Sequence, residues 1–310
     1  MARLGPQLRR ALAALSLACL PLALGACATP AEAEAAAADV RPADAIPGPA
    51  LWELRDEDTT IYLFGTVHVL PEGLDWYDAR LARTFATADE IVTEIDTTDV
   101  DGVSAAILQA APLEAGGNLR ELMTPENRVQ FEAALTRIGL PPNALDAYEP
   151  WYAAIVMSLG PLRSAGFDPD SGVEAQLTER AAGKRHVALE TIDQQVQMFD
   201  GMEQVHQLAY LDAAAEGVAE VLPTVNTMIS QWRAGEVTQL GQTLNDDLDD
   251  EYLTTRLLIN RNMNWAGWIH RRLAEPGTVF VAVGAGHLAG PGSVQDQLAA
   301  RGLAVSRIWK

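Results

Sequence analysis

Two histidines of this chain stand in one short pattern. Ile61-Tyr62-Leu63-Phe64 runs into Gly65-Thr66-Val67-His68, and Val279-Phe280-Val281-Ala282-Val283 runs into Gly284-Ala285-Gly286-His287. Each apolar, β-branched run reads as a strand. A glycine at its end, Gly65 or Gly284, permits a sharp exit and close backbone approach, so the imidazole is presented at the edge of a sheet and not within its face. Sheet ends are where α/β proteins put ligands. Two carboxylates follow the same logic, because Ile91-Val92-Thr93-Glu94 and Val187-Ala188-Leu189-Glu190 each bring an acid to the carboxyl end of an apolar run. His68, His287, Glu94 and Glu190 on one rim would form a donor set for a divalent cation of borderline hardness: zinc, manganese or cobalt. Taken singly, a Gly-x-x-His is more often a turn with a satisfied histidine, and an acid ending a strand is more often a solvent-facing stop. The matching contexts of the two pairs are what point to a shared site.

The elements that must position these groups are short strands alternating with longer helices. Strands are expected at Trp52 to Leu54, Thr60 to Phe64, Glu90 to Ile95, His186 to Leu189, Thr278 to Val283 and Ala304 to Trp309. Helices are expected at Trp76 to Thr87, Pro125 to Ile138, Trp151 to Leu159, Val173 to Ala182, Gln194 to Ala215, Val218 to Arg233, Tyr252 to Leu273 and Val294 to Arg301. Thr124 before Pro125 supplies a cap and a first-turn proline, and Ser293 with Asp296 makes a capping-box pattern. Val196, Phe199, Met202, Val205 and Leu208 recur at near-helical spacing and read as one core-facing stripe. The order implies an α/β fold, with α+β as the alternative: a central mixed β-sheet flanked by helices, and a mainly helical middle segment from Glu114 to Leu273.

The chain opens as an export signal. Arg3, Arg9 and Arg10 precede an apolar run from Ala11 to Leu24, shorter than the ~20 residues a spanning helix needs. The run stops at Leu24-Gly25-Ala26-Cys27, where small residues suit a peptidase and Cys27 can be lipidated. Residues 1–26 are therefore expected to be a lipoprotein signal peptide, residues 27–49 an Ala/Pro/Glu-rich disordered tether, and residues 50–310 one domain. Such a protein is anchored to a membrane and faces the periplasm; Ala28, in place of an aspartate, favours the outer membrane. Cys19 and Cys27 are the only cysteines, so the folded part has no disulfide, cysteine metal site or thiol nucleophile. A net charge of −20 disfavours nucleic acid and anionic head groups as partners. The acidic run Asp246, Asp247, Asp249, Asp250 and Glu251 reads as a solvated loop or helix start, with a weak calcium site as its sharper alternative. No His-Glu-x-x-His, Gly-x-Ser-x-Gly or P-loop string occurs.

Several of these strings together resemble the TraB/GumN family, which includes TIKI metalloproteases and PrgY-type proteins and is similar to the ChaN and erythromycin-esterase-like fold group. The resemblance is carried, in order, by Leu51-Trp52-Glu53-Leu54, Gly65-Thr66-Val67-His68, Leu189-Glu190-Thr191 with Gln194 or Gln195, Arg261-Asn262, and Gly284-Ala285-Gly286-His287-Leu288-Ala289-Gly290. It implies a divalent metal and, for the TIKI members, metal-dependent peptide cleavage. It also implies that His68 and His287 are the motif histidines, that Glu94 and Glu190 are the acidic strand ends, that Glu174 occupies a position often acidic, and that Arg261-Asn262 is the family's helical pair.

On the hydrolase reading, His68, His287 and one of Glu94 and Glu190 hold the metal and the other glutamate takes a proton, the two roles left open between them. Arg261 would clamp a substrate carboxylate or an oxyanion, and Asn262 would orient Arg261 or the substrate, a peptide or small molecule. A structural ion pair of Arg261 with Glu94 or Glu190 stands beside catalysis as an equal reading. Trp265 and Trp268 read as core, His186 as a solvated turn, and His206 and His270 as surface or packing residues. Two whole-protein alternatives also stand: a metal-, haem- or ligand-binding lipoprotein without turnover, and a protein that sequesters a signalling peptide.

Overall fold

The strands expected from the sequence meet in one sheet. In this computed structural model, which describes residues 48–96, 98–245 and 250–309, they are β1 (Leu51–Arg55), β2 (Thr59–Thr66), β3 (Leu70–Pro71), β4 (Glu90–Thr93), β5 (Phe167–Asp168), β6 (Arg185–Ala188), β7 (Gly277–Gly284) and β8 (Ser306–Trp309). Six of them form a mixed sheet in the order β6-β4-β7-β2-β1-β8. β6, β4, β7 and β2 run parallel, β1 antiparallel to β2, and β8 antiparallel to β1. The architecture is the mixed α/β one expected. The pair β3 and β5, two residues each, is a separate antiparallel sheet that hydrophobic patterning is too short to reveal.

Both faces of the central strands are covered, which is why β2 and β7 are apolar along most of their length. Phe64, Ile91, Phe280 and Ala282 point into the larger core, shared with the helical middle segment. Ile61, Leu63, Val92, Val279, Val281 and Val283 point the other way, onto Trp265, Ala266 and Ile269 of the helix Asn260–Arg272. Register then fixes the functional edge. Thr93 pairs with both Ala188 and Ala282, and Thr66 pairs with Gly284, so the four parallel strands end level.

The middle segment is helical, with differences in detail. The stripe from Val196 to Leu208 is not one helix: Ile192–Asp200 ends at Gly201, and Gln204–Gly217 begins after Glu203. Val196, Phe199 and Met202 are buried as expected, but the break turns Val205 outward, 64% exposed. Helices at Val100–Ala110 and Val237–Asn245 come from stretches not expected to be helical. In the second, Gly241 lowers helix propensity but is required by packing, since a Cβ there would meet the Gly290 amide nitrogen at 2.9 Å. The helix expected from Tyr252 is interrupted: Glu251–Thr254 passes into a π-helical turn, Thr255–Ile259, and then into Asn260–Arg272.

His186 is not a solvated turn residue; it lies in β6, with its Nε2 2.9 Å from Thr93 Oγ1. His206 stacks on Tyr252 at 3.9 Å, and His270 is exposed. The signal, Cys19, Cys27 and the tether as far as Pro47 lie outside the described residues, as do Asp246, Asp247 and Asp249. Asp250 is the N-cap of Glu251–Thr254. Among the described residues no helix is long and apolar enough to cross a membrane.

Candidate functional site

All four groups singled out from the sequence leave the same edge of the sheet, at the carboxyl ends of neighbouring parallel strands: Glu190 after β6, Glu94 after β4, His287 after β7 and His68 after β2. The edge continues by backbone pairing past the strands, the Glu190 amide donating to the Glu94 carbonyl at 2.8 Å.

Each imidazole is fixed from behind. His68 Nδ1 lies 2.6 Å from Glu174 Oε1, an oxygen that also accepts from the Thr66 hydroxyl. A carboxylate only accepts, so Nδ1 carries the hydrogen; an imidazole with a single ring proton then presents its lone pair at Nε2. Glu174 reaches this point because the helix Val173–Glu179 starts there, the Val173 amide donating to the Val67 carbonyl at 3.0 Å. Gly172 permits that approach; a Cβ on it would collide with the His68 carbonyl oxygen at 2.1 Å.

His287 is held by neutral groups and a cation. Asn262 Nδ2 donates to the Gly292 carbonyl at 2.9 Å, which turns Oδ1 toward His287 Nδ1, 2.6 Å away. Arg261 Nη1, which can only donate, stands 3.0 Å from His287 Nε2, so Nε2 bears the lone pair here too. Asn262 therefore orients His287. Burial lowers the affinity of His287 for a proton, and Arg261 lowers it further, to a pKa of about 3.

Arg261 ties the rim together. It donates to the Glu94 carboxylate and to both oxygens of Glu190, at 2.8 and 2.9 Å. The ion pairs weighed from the sequence are thus formed with both acids. Burial would raise the pKa of Glu94, but the adjacent guanidinium and the Gly284 amide, 2.7 Å from Oε1, hold its carboxyl well below the usual range. Glu190 also accepts from Trp265 Nε1 at 3.0 Å and from Gln195 Nε2 at 3.1 Å. Trp265 is core, as expected, but carries a polar duty as well. Gln195 is the glutamine that reaches the site, while Gln194 completes a capping box with Thr191.

Among the described residues no three His, Cys, Asp or Glu side chains already stand at metal-ligand spacing. The donor chemistry fits a small cation nonetheless. The Nε2 atoms of His68 and His287 each lie 3.9 Å from Glu94 Oε1. A Cβ added at Gly284 would be 3.1 Å from both Glu94 Oε1 and His68 Nε2, so the glycine keeps open the space that these groups frame. Tetrahedral ligands with bonds of about 2 Å sit about 3.3 Å apart, slightly closer than these atoms. Arg261 competes for the His287 lone pair that an ion would use.

Above this frame lies an apolar cavity bordered by both imidazoles and walled by Phe199, Val225, Ile229, Leu244 and Leu257. Trp232, on its wall, donates from Nε1 to the Gly65 carbonyl at 2.7 Å and steadies the first histidine loop. Neither Trp232 nor Trp265 carries a sequence signal beyond apolarity.

The chain matches the TraB/PrgY/gumN family over residues 50–307. It is 23% identical over 269 residues to an uncharacterized protein of Treponema pallidum (strain Nichols), covering 81% of this chain and 80% of that protein. It is 25% identical over 245 residues to the uncharacterized protein YbaP of Escherichia coli (strain K12), covering 76% of this chain and 87% of that protein, and to the same degree to YbaP of Shigella flexneri. No solved structure matches it.

Proposed function

The chain belongs to the TraB/PrgY/gumN family, and on the geometry of its rim we propose that it is a divalent-metal-dependent hydrolase, a peptidase in the first instance, acting while lipid-anchored through Cys27 at a membrane surface facing the periplasm. The observation that carries the reading is the pair of pre-set tautomers. Two imidazoles on adjacent parallel strands have their Nδ1 hydrogens taken by Glu174 and Asn262, and both Nε2 atoms lie 3.9 Å from one Glu94 oxygen. An outer partner that fixes each histidine in this way is the usual support of a metal-ligating histidine.

His68, His287 and Glu94 would hold the ion, which could be zinc, manganese or cobalt. When bound it would supply Lewis acidity toward a carbonyl. Glu94 suits a cation better than a proton, since its surroundings keep it anionic. Glu190 borders the open groove beside the rim and is the carboxylate assigned to proton transfer. Arg261, between them, is the donor for an oxyanion or a substrate carboxylate. The apolar cavity would exclude water and take an apolar side chain.

The test is metal binding followed by turnover. Mature protein should bind one divalent ion by calorimetry, and His68→Ala and His287→Ala should each abolish it; stoichiometric metal in the double variant would reject the site. Peptide and ester substrates should then be cleaved with added manganese, cobalt or zinc and not with chelator. Arg261, paired with both glutamates and His287, favours a second reading, a metal- or ligand-binding lipoprotein without turnover. Bound metal with no hydrolysis would select it.

A further inference from the structure

Arg261 and Met198 border two spaces, not one. On one side is the apolar cavity bordered by the histidines; on the other is an open, polar groove between the helices Ile192–Asp200 and Asn260–Arg272. Its walls include Gln194, Gln197, Trp268 and three further arginines, Arg256, Arg271 and Arg301. Acids outnumber basic residues 42 to 22 in this chain, yet Glu190 is the one carboxylate on these walls, and it is already bonded to Arg261. Arg256 donates to the Met198 carbonyl at 2.6 Å and to the Gln197 carbonyl at 2.7 Å. Arg301 donates to the Gln297 carbonyl at 2.7 Å and to the Met263 carbonyl at 3.0 Å. Arg271 is exposed. No carboxylate among the described residues lies within ion-pair distance of Arg256, Arg271 or Arg301. Carbonyl partners hold two of these guanidinium groups in place without neutralising them.

We propose that the groove is an anion subsite, and that the molecules this protein takes are amphiphilic carboxylates: an apolar group enters the cavity, the chain crosses at Met198 and Arg261, and a carboxylate lies between Arg271 and Arg301, whose guanidinium nitrogens come within 3.6 and 4.0 Å of one point, the Cβ position of Gly267. A peptide with a free carboxyl end after an apolar residue and an acylated amino acid share this chemistry. Planar guanidinium groups suit carboxylate oxygens, and in an acidic chain a local positive groove selects against neutral analogues and draws anions inward. The inference rests on the hydrolase reading only in placing the groove beside the reacting bond; anion binding itself needs no turnover.

The experiment is calorimetry on the mature protein with chelator present, so that catalysis is silent. The probes are N-octanoyl-leucine and its amide, and the tripeptide Ala-Leu-Leu and its amide. The acids should bind at least about tenfold more tightly than their amides, and the advantage should shrink as salt rises. Arg271→Gln with Arg301→Gln should abolish the advantage and leave amide binding unchanged. Arg271→Glu alone, at an exposed site, should reduce it severalfold without disturbing folding. A preference for only one of the two acids assigns the source. Equal binding of acid and amide to wild type, no binding of any probe, or an acid preference surviving in both variants would overturn the subsite. An intact preference in a protein that hydrolyses nothing would overturn the enzyme reading alone.

Discussion

The two Gly-x-x-His segments are nearly identical as strings and quite different as structures. Gly65 and Thr66 still belong to β2, and His68 follows at a bend just past its end; its imidazole, 15% exposed, leans on a carboxylate, Glu174. Gly284 to His287 ends β7 and enters a 3-10 turn, Ala285–Leu288; its imidazole, 4% exposed, leans on an amide, Asn262, and faces a guanidinium. One motif thus yields one charge-supported and one neutral-supported histidine. The difference lies in what each loop meets on arrival, a helix start beneath His68 and the side of a long helix beneath His287.

Removing the cation that serves only the second loop should have the largest effect. Arg261→Leu would leave Glu94 buried without its counter-charge, and we expect a loss of about 3–5 kcal/mol by urea denaturation; a loss below about 1 kcal/mol would show that the two loops do not differ in this way. The equivalent glycines should fail differently. Gly284→Ala puts a methyl 3.1 Å from Glu94 Oε1 and His68 Nε2, and should abolish metal binding. In Gly65→Ala the new methyl meets the Ala285 backbone at 3.0 Å, so the cost should be in stability, about 1–3 kcal/mol. Measuring melting and metal binding on both variants checks the contrast.

Next come the outer partners. Asn262→Leu and Glu174→Gln should each weaken metal binding about 10–100-fold, with Glu174→Gln the milder because an acceptor oxygen remains. Smallest is a pH effect. The folded pKa of His287, about 3, lies below the ordinary 6.5 of an imidazole, so the unfolded chain takes up the proton first and stability is lost as pH falls from about 6.5. At pH 5.5 this amounts to about 1 kcal/mol relative to pH 7.5. His287→Gln should flatten that part of the profile, and an unchanged slope would contradict a buried, neutral His287.

Much of the rim was legible because glycine, histidine and glutamate at strand ends are local signals. The parallel register that levels those ends was not, and neither was which glutamate faces the imidazoles: Glu94 and Glu190 end similar strings and are distinguished only by the neighbour of their strand, β7 for β4 and the outer edge for β6. Gln195 was seen only as one of two adjacent glutamines, since a capping box and a site contact need the same residue type. Spacing alone does not register the turn at Gly201–Glu203, where the apolar period loses its phase and Val205 turns outward.

The π turn at Thr255–Ile259 carries a consequence for length. One surplus residue there advances the following helix by about 100°, which sets Arg261, Trp265 and Ile269, one face of that helix, toward the rim and the sheet. A one-residue deletion in this turn would relax it to an ordinary helix, and the chain would then have to choose between two alignments: Leu253 in register with the larger core, or Arg261, Trp265 and Ile269 in register with the rim and the sheet. Such a deletion should therefore cost either the rim its arginine or the larger core its Leu253, and leave no alignment that keeps both.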